Sequence, residues 1–297
     1  MMALRYLQMD VFADRPGAGN ALGAVLDGAR FDPARMQAFA AWTNLSETIF
    51  LLPPTVAGAD YRVRIFTPCQ ELPFAGHPSV GAAWAAIEAG MIPPGKTRLV
   101  QECAAGLLPV RIDTVGDLPS PDARVPNVRA PRVRRIGGIE LAPTLLPAAV
   151  RNMRLGALEP ALWDNGPRWW LLELADADAV RGLRPDPAAI AALTAATGAV
   201  GLAVHAADPR DGHHLAVRAF CPADNIPEDP VTGSAQAAIA AQLAAAGRLP
   251  GHDGRYVGTQ GREVGRDGRV NVHVDAENEV WIGGRVQPII HGTVRWE

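Results

Sequence analysis

One local pattern occurs twice in this chain of 297 residues. Its first copy is residues 64–68 (RIFTP) followed by Leu72-Pro73, and its second is residues 218–222 (RAFCP) followed by Ile226-Pro227. The offset is the same for both parts, since 218 − 64 = 154 and 227 − 73 = 154. A repeated strand-loop-helix unit predicts two similar lobes with a cleft between them.

A glycine and a polar residue follow each copy and open an alanine-rich stretch, Gly76-His77 in the first and Gly233-Ser234 in the second. Here the offset is 233 − 76 = 157, which predicts three additional residues in the second connecting loop. The N–H groups at the start of a helix favour a bound carboxylate. We expect the two helix starts to form the halves of one anion site, although for either glycine alone a tight loop is the simpler explanation.

Composition limits the class of protein and of partner. A chain with 48% apolar and 20% charged residues is typical of a soluble globular protein with a large core. The net charge of −3 and the scattered arginines favour neither nucleic acid nor membrane partners, so we expect a small-molecule ligand. Three cysteines without metal-ligand spacing predict reduced thiols and a cytoplasmic protein, and the first residues do not resemble a secretion signal.

The pattern of apolar residues predicts an α+β protein in which each of two pseudo-symmetric lobes wraps a mostly antiparallel sheet around one central helix. The expected strands are residues 4–11, 20–26, 47–52, 60–66, 169–174, 199–206, 214–220, 269–274 and 280–282, and the expected helices are 33–43, 77–89, 186–197 and 234–246. We assign residues 1–118 and a last strand at about 286–297 to the first lobe, and residues 119–285 to the second. The proline-rich segment 116–131 is expected to cross between them, with the active site in the cleft.

Three titratable residues near the helix starts are candidates for proton transfer: Glu47, His77 and Asp229. A carboxylate acts as a base when partial burial raises its pKa toward the working pH. Glu47 is the preferred base because it begins an otherwise apolar strand. The alternatives are a solvated carboxylate for Glu47, a hydrogen bond to its own loop for His77, and a helix cap for Asp229.

These residues belong to longer motifs that together resemble the PhzF-like phenazine-biosynthesis family, whose fold is that of diaminopimelate epimerase. The motifs are residues 9–12 (MDVF), 19–20 (GN), 46–48 (SET), 64–68, 71–78 (ELPFAGHP) and 228–235 (EDPVTGSA), and the resemblance runs over nearly the whole chain. It implies that Glu47 is the proton shuttle and that His77 and Asp229 help to hold the substrate. It also implies a carboxylate cradle made by Gly76, His77, Gly233 and Ser234, with Asn20 as a further polar contact.

The resemblance implies an isomerase, similar to trans-2,3-dihydro-3-hydroxyanthranilate isomerase, that moves a proton on a small cyclic carboxylated substrate. It implies no metal, no organic cofactor and a homodimer. Racemases of this fold carry one thiol before each helix-start glycine, where this chain has Ala75 and Thr232, so a two-cysteine mechanism is not expected. The chain departs from the family at Ala21 and at residues 223–225, which favours a different substrate more than a different reaction.

Two other functions remain open from the sequence. The first is a non-catalytic protein that closes on a carboxylated metabolite without moving a proton, and the second is an epimerase of another substrate. A metal enzyme that uses His205, His213 and His214 is disfavoured, because adjacent histidines on a strand point to opposite faces.

Overall fold

The computed structural model describes residues 3–114, 124–210 and 212–296, and it divides into two compact units. The first unit comprises Met1–Arg129 and Ile282–Glu297, and the second comprises Ala130–Trp281. The chain therefore leaves the first unit after Arg129 and returns to it at Ile282.

The first unit is rich in strands. Its strands are β1 (Leu4–Val11), β2 (Asn20–Val25), β3 (Glu47–Leu52), β4 (Tyr61–Phe66), β5 (Glu71–Leu72), β6 (Arg98–Cys103), β7 (Gly106–Thr114), β8 (Arg124–Arg129) and β18 (Val286–Val294), and its helices are α1 (Pro33–Thr43) and α2 (Gly76–Glu88). The pairs β1/β2, β1/β18, β3/β4, β4/β5, β6/β7 and β7/β8 are antiparallel. The pairs β2/β3 and β4/β6 are parallel, and a helix lies between the members of each because a parallel connection needs a crossover.

The second unit has more helices. Its strands are β9 (Arg134–Gly137), β10 (Ala161–Asp164), β11 (Arg168–Glu173), β12 (Gly201–Ala207), β13 (Leu215–Cys221), β14 (Ile226–Asp229), β15 (Arg255–Gln260) and β16 (Gly268–Val274), and its helices are α3 (Leu145–Ala149), α4 (Ala177–Arg181), α5 (Pro187–Thr197) and α6 (Gly233–Ala245). Strand β17 (Val280–Gly283) contains the division between the units. The pairs β11/β12 and β13/β15 are parallel, and the pairs β9/β10, β10/β11, β12/β13, β13/β14 and β15/β16 are antiparallel.

Each unit surrounds one buried helix. In α2 every residue from Gly76 to Ala86 is buried, and in α6 every residue from Gly233 to Ala240 is buried. Small residues let the strands approach: a Cβ on Gly81 of α2 would lie 2.3 Å from Leu22 Cδ2 of β2. The α+β fold class is therefore confirmed, and a glycine in α2 allows close packing where the helix meets β2, because a side chain at Gly81 would clash with Leu22.

The connecting segment differs from its prediction. Residues 124–129, part of the expected crossing 116–131, form β8, which pairs with β7 in the first unit. Residues 116–123 of that segment lie outside the described residues. No helix in the described part of the chain is long and apolar enough to cross a membrane.

The arginine of each repeated motif makes a two-pronged ion pair within its own unit. Arg64 donates from Nε and Nη2 to the two carboxylate oxygens of Glu71 at 2.7 and 2.6 Å. Arg218 donates in the same way to Glu228 at 2.9 and 2.7 Å, and its Nη1 donates to the carbonyl oxygens of Val180 and Leu183. Each guanidinium also lies over a phenylalanine two residues along the same strand face, which accounts for the repeated R-x-F spacing.

Burial of these two ion pairs differs, and so does their expected contribution to stability. The side chains of Arg218 and Glu228 are 7% and 9% exposed, whereas those of Arg64 and Glu71 are 19% and 35% exposed. Replacing Arg218 with Met leaves the Glu228 carboxylate buried without its cation, so we expect the free energy of unfolding to fall by about 3–5 kcal/mol. Arg64→Met, the matched variant, should cost about 1 kcal/mol or less. Urea unfolding of both variants measures the difference, and equal losses would contradict this account.

Candidate active site

Glu47 and His77 lie against each other in the first unit. Glu47 begins β3, which pairs with β2 in register Leu22 to Glu47, and His77 is the second residue of α2. Glu47 Oε2 lies 3.3 Å from His77 Nε2. Their side chains are 16% and 5% exposed, so this carboxylate keeps limited access to solvent beside a buried ring.

The imidazole of His77 is neutral at neutral pH. Burial lowers the pKa of His77 from its ordinary 6.5 to about 3. Moving a charged imidazolium from water into the protein interior costs free energy, and the nearby carboxylate does not offset that cost. The contact with Glu47 is therefore a contact between a carboxyl group and an uncharged ring, not an ion pair.

Asn20 is hydrogen-bonded to Ser46, the residue that precedes Glu47. Ser46, directly before Glu47, donates a hydrogen bond from Oγ to Asn20 Oδ1 at 3.0 Å, and Asn20 is 2% exposed. The hairpin that carries Asn20 is tight, since a Cβ on Gly19 would lie 2.3 Å from the carbonyl oxygen of Val11. Phe12, fully buried in that hairpin, has a φ of 64°, which is strained for a bulky side chain.

The start of α2 offers backbone N–H groups without a side-chain cap. Ala75, the residue before the helix, is extended and has no side chain that could accept a hydrogen bond. Pro78, the third helical residue, has no N–H, and Ser79 N donates to Ala75 O at 3.1 Å. The N–H groups of Gly76 and His77 therefore remain as the donors of this helix start, and the helix dipole favours an anion there.

The second unit places Asp229, Gly233 and Ser234 around the start of α6. Asp229 ends β14, and Thr232 is the residue before the helix. Thr232 Oγ1 donates to Asp229 Oδ2 at 2.5 Å and makes no hydrogen bond that caps α6. The first helical residues are thus Gly233 and Ser234, whose N–H groups are not covered by the threonine side chain.

Two buried residues hold Ser234. Trp169 Nε1 donates to Ser234 Oγ at 3.1 Å, and Asn165 Nδ2 donates to the carbonyl oxygen of Ser234 at 2.9 Å. An indole N–H can only donate, so the serine oxygen accepts and its own proton points elsewhere. Trp169 and Asn165 were not among the predicted site residues, and no sequence signal singles them out.

Strand pairing corrects the sequence alignment of the two motifs. In the first unit, Leu72 pairs with Ile65. In the second unit, Ala219 is the counterpart of Ile65, and it pairs with Asp229, while Ile226 pairs with Cys221. Leu72-Pro73 therefore corresponds to Asp229-Pro230, not to Ile226-Pro227. The three additional residues lie before Glu228, where a 3-10 turn spans Pro222–Asp224, and not in the loop that follows Pro227.

The histidines considered for a metal site contact protein groups instead. His205 Nε2 lies 2.9 Å from Gln242 Oε1, His213 Nε2 lies 3.2 Å from Asp208 Oδ2, and His214 Nδ1 accepts from Val257 N. His213 and His214 precede β13, so they are not on the strand as expected. Within residues 3–114, 124–210 and 212–296 no group of three or more His, Cys, Asp or Glu side chains could hold a metal ion.

A surface cavity of about 110 Å³ lies elsewhere in the second unit. It is lined by residues at the end of α3 and the start of α5, including Arg151, Arg184 and Asp186. None of the predicted site residues lines it. The three cysteines form no disulfide within the described residues: Cys69 is exposed, Cys103 is half-buried and Cys221 is buried.

Comparison with known proteins agrees with these motifs. The profile of the family described as phenazine biosynthesis-like protein, PhzC-PhzF, matches residues 9–292. An uncharacterized isomerase of Deinococcus radiodurans is 37% identical over 253 residues, which is 83% of this chain and 78% of that protein. Trans-2,3-dihydro-3-hydroxyanthranilate isomerase of Pseudomonas aeruginosa is 32% identical over 252 residues, or 83% and 82% of the two chains.

A solved structure gives the same answer for the fold. The phenazine biosynthesis protein of the PhzF family from Bacillus anthracis superposes with a TM-score of 0.84 at 25% identity, covering 99% of this chain and 100% of that one. Sequence motifs, family profile and fold thus agree over nearly the full length. The chain belongs to the PhzC-PhzF family of phenazine biosynthesis-like proteins.

Proposed function

We propose that this isomerase of the PhzF type moves a proton between two carbons of a small cyclic carboxylate, and that Glu47 carries the proton. The isomerase class follows from the family and from its relatives that are named isomerases. The observation that carries the assignment of Glu47 is its contact with the neutral, buried ring of His77 next to the start of α2.

A neutral neighbour suits a carboxylate that takes up and returns one proton. A cation at 3.3 Å would hold the carboxylate in its charged form, but an uncharged imidazole does not. Because the pKa of His77 is lowered to about 3, the ring is a poor acceptor for a proton carried by Glu47. Glu47 can then give the proton to a second carbon of the same substrate.

The substrate carboxylate is proposed to bind at helix-start N–H groups. Gly76 and His77 offer such groups in the first unit, and the dipole of α2 adds a favourable charge. Asn20, held by Ser46, supplies a polar contact beside Glu47. Asp229, Gly233 and Ser234 of the second unit stay predicted substrate-binding residues.

The substrate class comes from the relatives. Three Pseudomonas relatives at 30–32% identity are named trans-2,3-dihydro-3-hydroxyanthranilate isomerase. For such a ring, moving a proton from the hydroxyl-bearing carbon to another ring carbon moves a double bond and leaves an enol. The hydroxyl proton of that enol then moves to carbon, which gives a ketone. Protons and electrons balance within the substrate, so the step needs no co-reactant.

We further propose that the two units derive from an internal duplication. In the first unit β2/β3 is parallel, β3/β4 antiparallel, β4/β6 parallel and β6/β7 antiparallel. The series β11/β12, β12/β13, β13/β15 and β15/β16 repeats that order. The homodimer stays a prediction from the family resemblance, and the cytoplasmic location stays a prediction from the three cysteines.

Replacing Glu47 with Gln tests the proton-transfer role. The amide keeps the size of the side chain and removes the base, so kcat for trans-2,3-dihydro-3-hydroxyanthranilate should fall by about 100-fold or more. Turnover in D2O should introduce carbon-bound deuterium with the native protein and not with the variant. Glu88→Gln, at the far end of α2, is the control. If the activity of the Glu47 variant lies within about tenfold of the native value, the assignment of Glu47 is wrong. If the native protein binds the substrate but introduces no carbon-bound deuterium, the result favours the non-catalytic alternative.

Burial of His77 predicts a specific pH dependence of stability. The unfolded chain takes up a proton at this residue near pH 6.5, while the folded chain resists it until about pH 3. The free energy of unfolding should therefore fall by about 1.4 kcal/mol per pH unit, through this residue alone, as the pH decreases between those values. Urea unfolding of native protein and His77→Gln at pH 7, 6, 5 and 4 measures it. The stability of the native protein relative to the variant should decline toward low pH, and parallel curves would rule this out.

A further inference from the structure

Gln260 is a buried amide whose contacts all lie at the start of α6. It ends β15 and is fully buried. Its Nε2 donates to the carbonyl oxygen of Asp229 at 2.9 Å and to Thr232 Oγ1 at 2.8 Å. Its Oε1 accepts from Thr232 N at 3.1 Å and, more weakly, from Gln236 Nε2 at 3.5 Å.

Two backbone groups fix which end of this amide is nitrogen. A carbonyl oxygen, here that of Asp229, can only accept a hydrogen bond, and the N–H of Thr232 can only donate one. The amide group of Gln260 therefore has one orientation that satisfies both. In that orientation its second N–H points at the Thr232 hydroxyl oxygen.

The direction of the next hydrogen bond follows. Since Thr232 Oγ1 accepts from Gln260, its single proton is directed at the other neighbour, Asp229 Oδ2, at 2.5 Å. The chain of donation runs from Gln260 through Thr232 to Asp229. A hydrogen bond to a charged group is about twice as strong as one between neutral groups, so this arrangement restrains the carboxylate of Asp229.

The same contacts keep Thr232 from its usual role before a helix. Threonine at this position commonly accepts a hydrogen bond from an N–H in the first turn, but Thr232 makes no such bond to α6. Its hydroxyl is engaged by Gln260 and Asp229. Gly258 of β15 leaves room for Gln236 beside Gln260, because a Cβ on Gly258 would lie 2.3 Å from Gln236 Oε1 and would displace that side chain.

We propose that Gln260 is a positioning residue: it withdraws the Thr232 hydroxyl from the helix start and directs it at Asp229. The start of α6 is thereby kept open for an anionic group of the substrate, and Asp229 is held in one orientation. The inference rests on the proposed function only in taking Asp229 and the start of α6 to contact the substrate. It adds two residues, Gln260 and Thr232, on which substrate recognition depends.

Variants of Thr232 and Gln260 test the proposal in turnover of trans-2,3-dihydro-3-hydroxyanthranilate. Thr232→Val keeps the shape of the side chain and removes the hydroxyl, and it should lower kcat/KM about tenfold or more. Thr232→Ser keeps the hydroxyl and should retain most of the native kcat/KM. Gln260→Met should resemble Thr232→Val. The kcat/KM of the double variant should be no lower than that of the less active single variant, because both substitutions act through one hydroxyl. A Thr232→Val enzyme within threefold of native, or additive losses, overturns the proposal.

Hydrogen exchange supplies a readout that needs no substrate. Gln260→Met removes the acceptor of the Thr232 N–H. The exchange rate of that amide, corrected for any change in the exchange rate set by global unfolding, should therefore rise at least tenfold. Gln242→Met, which removes a buried glutamine of α6 bound to His205, is the matched control and should leave the Thr232 amide unchanged. Unchanged exchange in Gln260→Met overturns the proposal.

The turnover and hydrogen-exchange experiments together distinguish failure of this inference from failure of the proposed function. If native protein does not turn over the substrate, the proposed function fails, and amide exchange still decides whether Gln260 holds Thr232. If native protein is active and Thr232→Val is equally active, the function stands and this inference fails. Should Gln260→Met not fold, the pair Thr232→Val and Thr232→Ser decides.

Discussion

A helix that begins inside a protein leaves backbone N–H groups where water cannot satisfy them, and both α2 and α6 begin in this way. At α2 the preceding Ala75 has no group to offer, and at α6 the hydroxyl of Thr232 is engaged by Asp229 and Gln260. Neither helix is covered by its own cap. The dipole of each central helix therefore favours a negative group at its start.

The sequence predicted the long, strongly patterned elements well. Strands β1 and β3 and helix α1 have the expected bounds, since alternation, the Asp32 cap and flanking turn residues all agree there. Strands β5–β8, β9, β10, β14 and β15 were not predicted. Several are very short, β7 and β8 contain Pro109 and Pro126, and β15 contains Gly258, so local preference argued against structures that only pairing with neighbours stabilises.

Motifs in the sequence identify the candidate proton-transfer residues but not the groups that set their state. Glu47 and His77 come from short motifs, and their contact needs only β3 and α2 to pack together. The charge of His77 depends on burial, which no local pattern records. Gln260 lies 31 residues from Asp229, and Trp169 lies 65 residues from Ser234, so these contacts exist only after the second unit has folded.

Strand β1 lies between β2, which follows it directly, and β18, which comes at the other end of the chain. On the ribosome, the first unit must therefore wait with one side of β1 exposed while the whole intervening segment 130–281 is synthesised. Synthesis of that length takes several seconds or more at ordinary rates. Nascent chains of this protein thus present an unfinished sheet for most of their translation, a period in which a chaperone that shields strand edges has the most to protect.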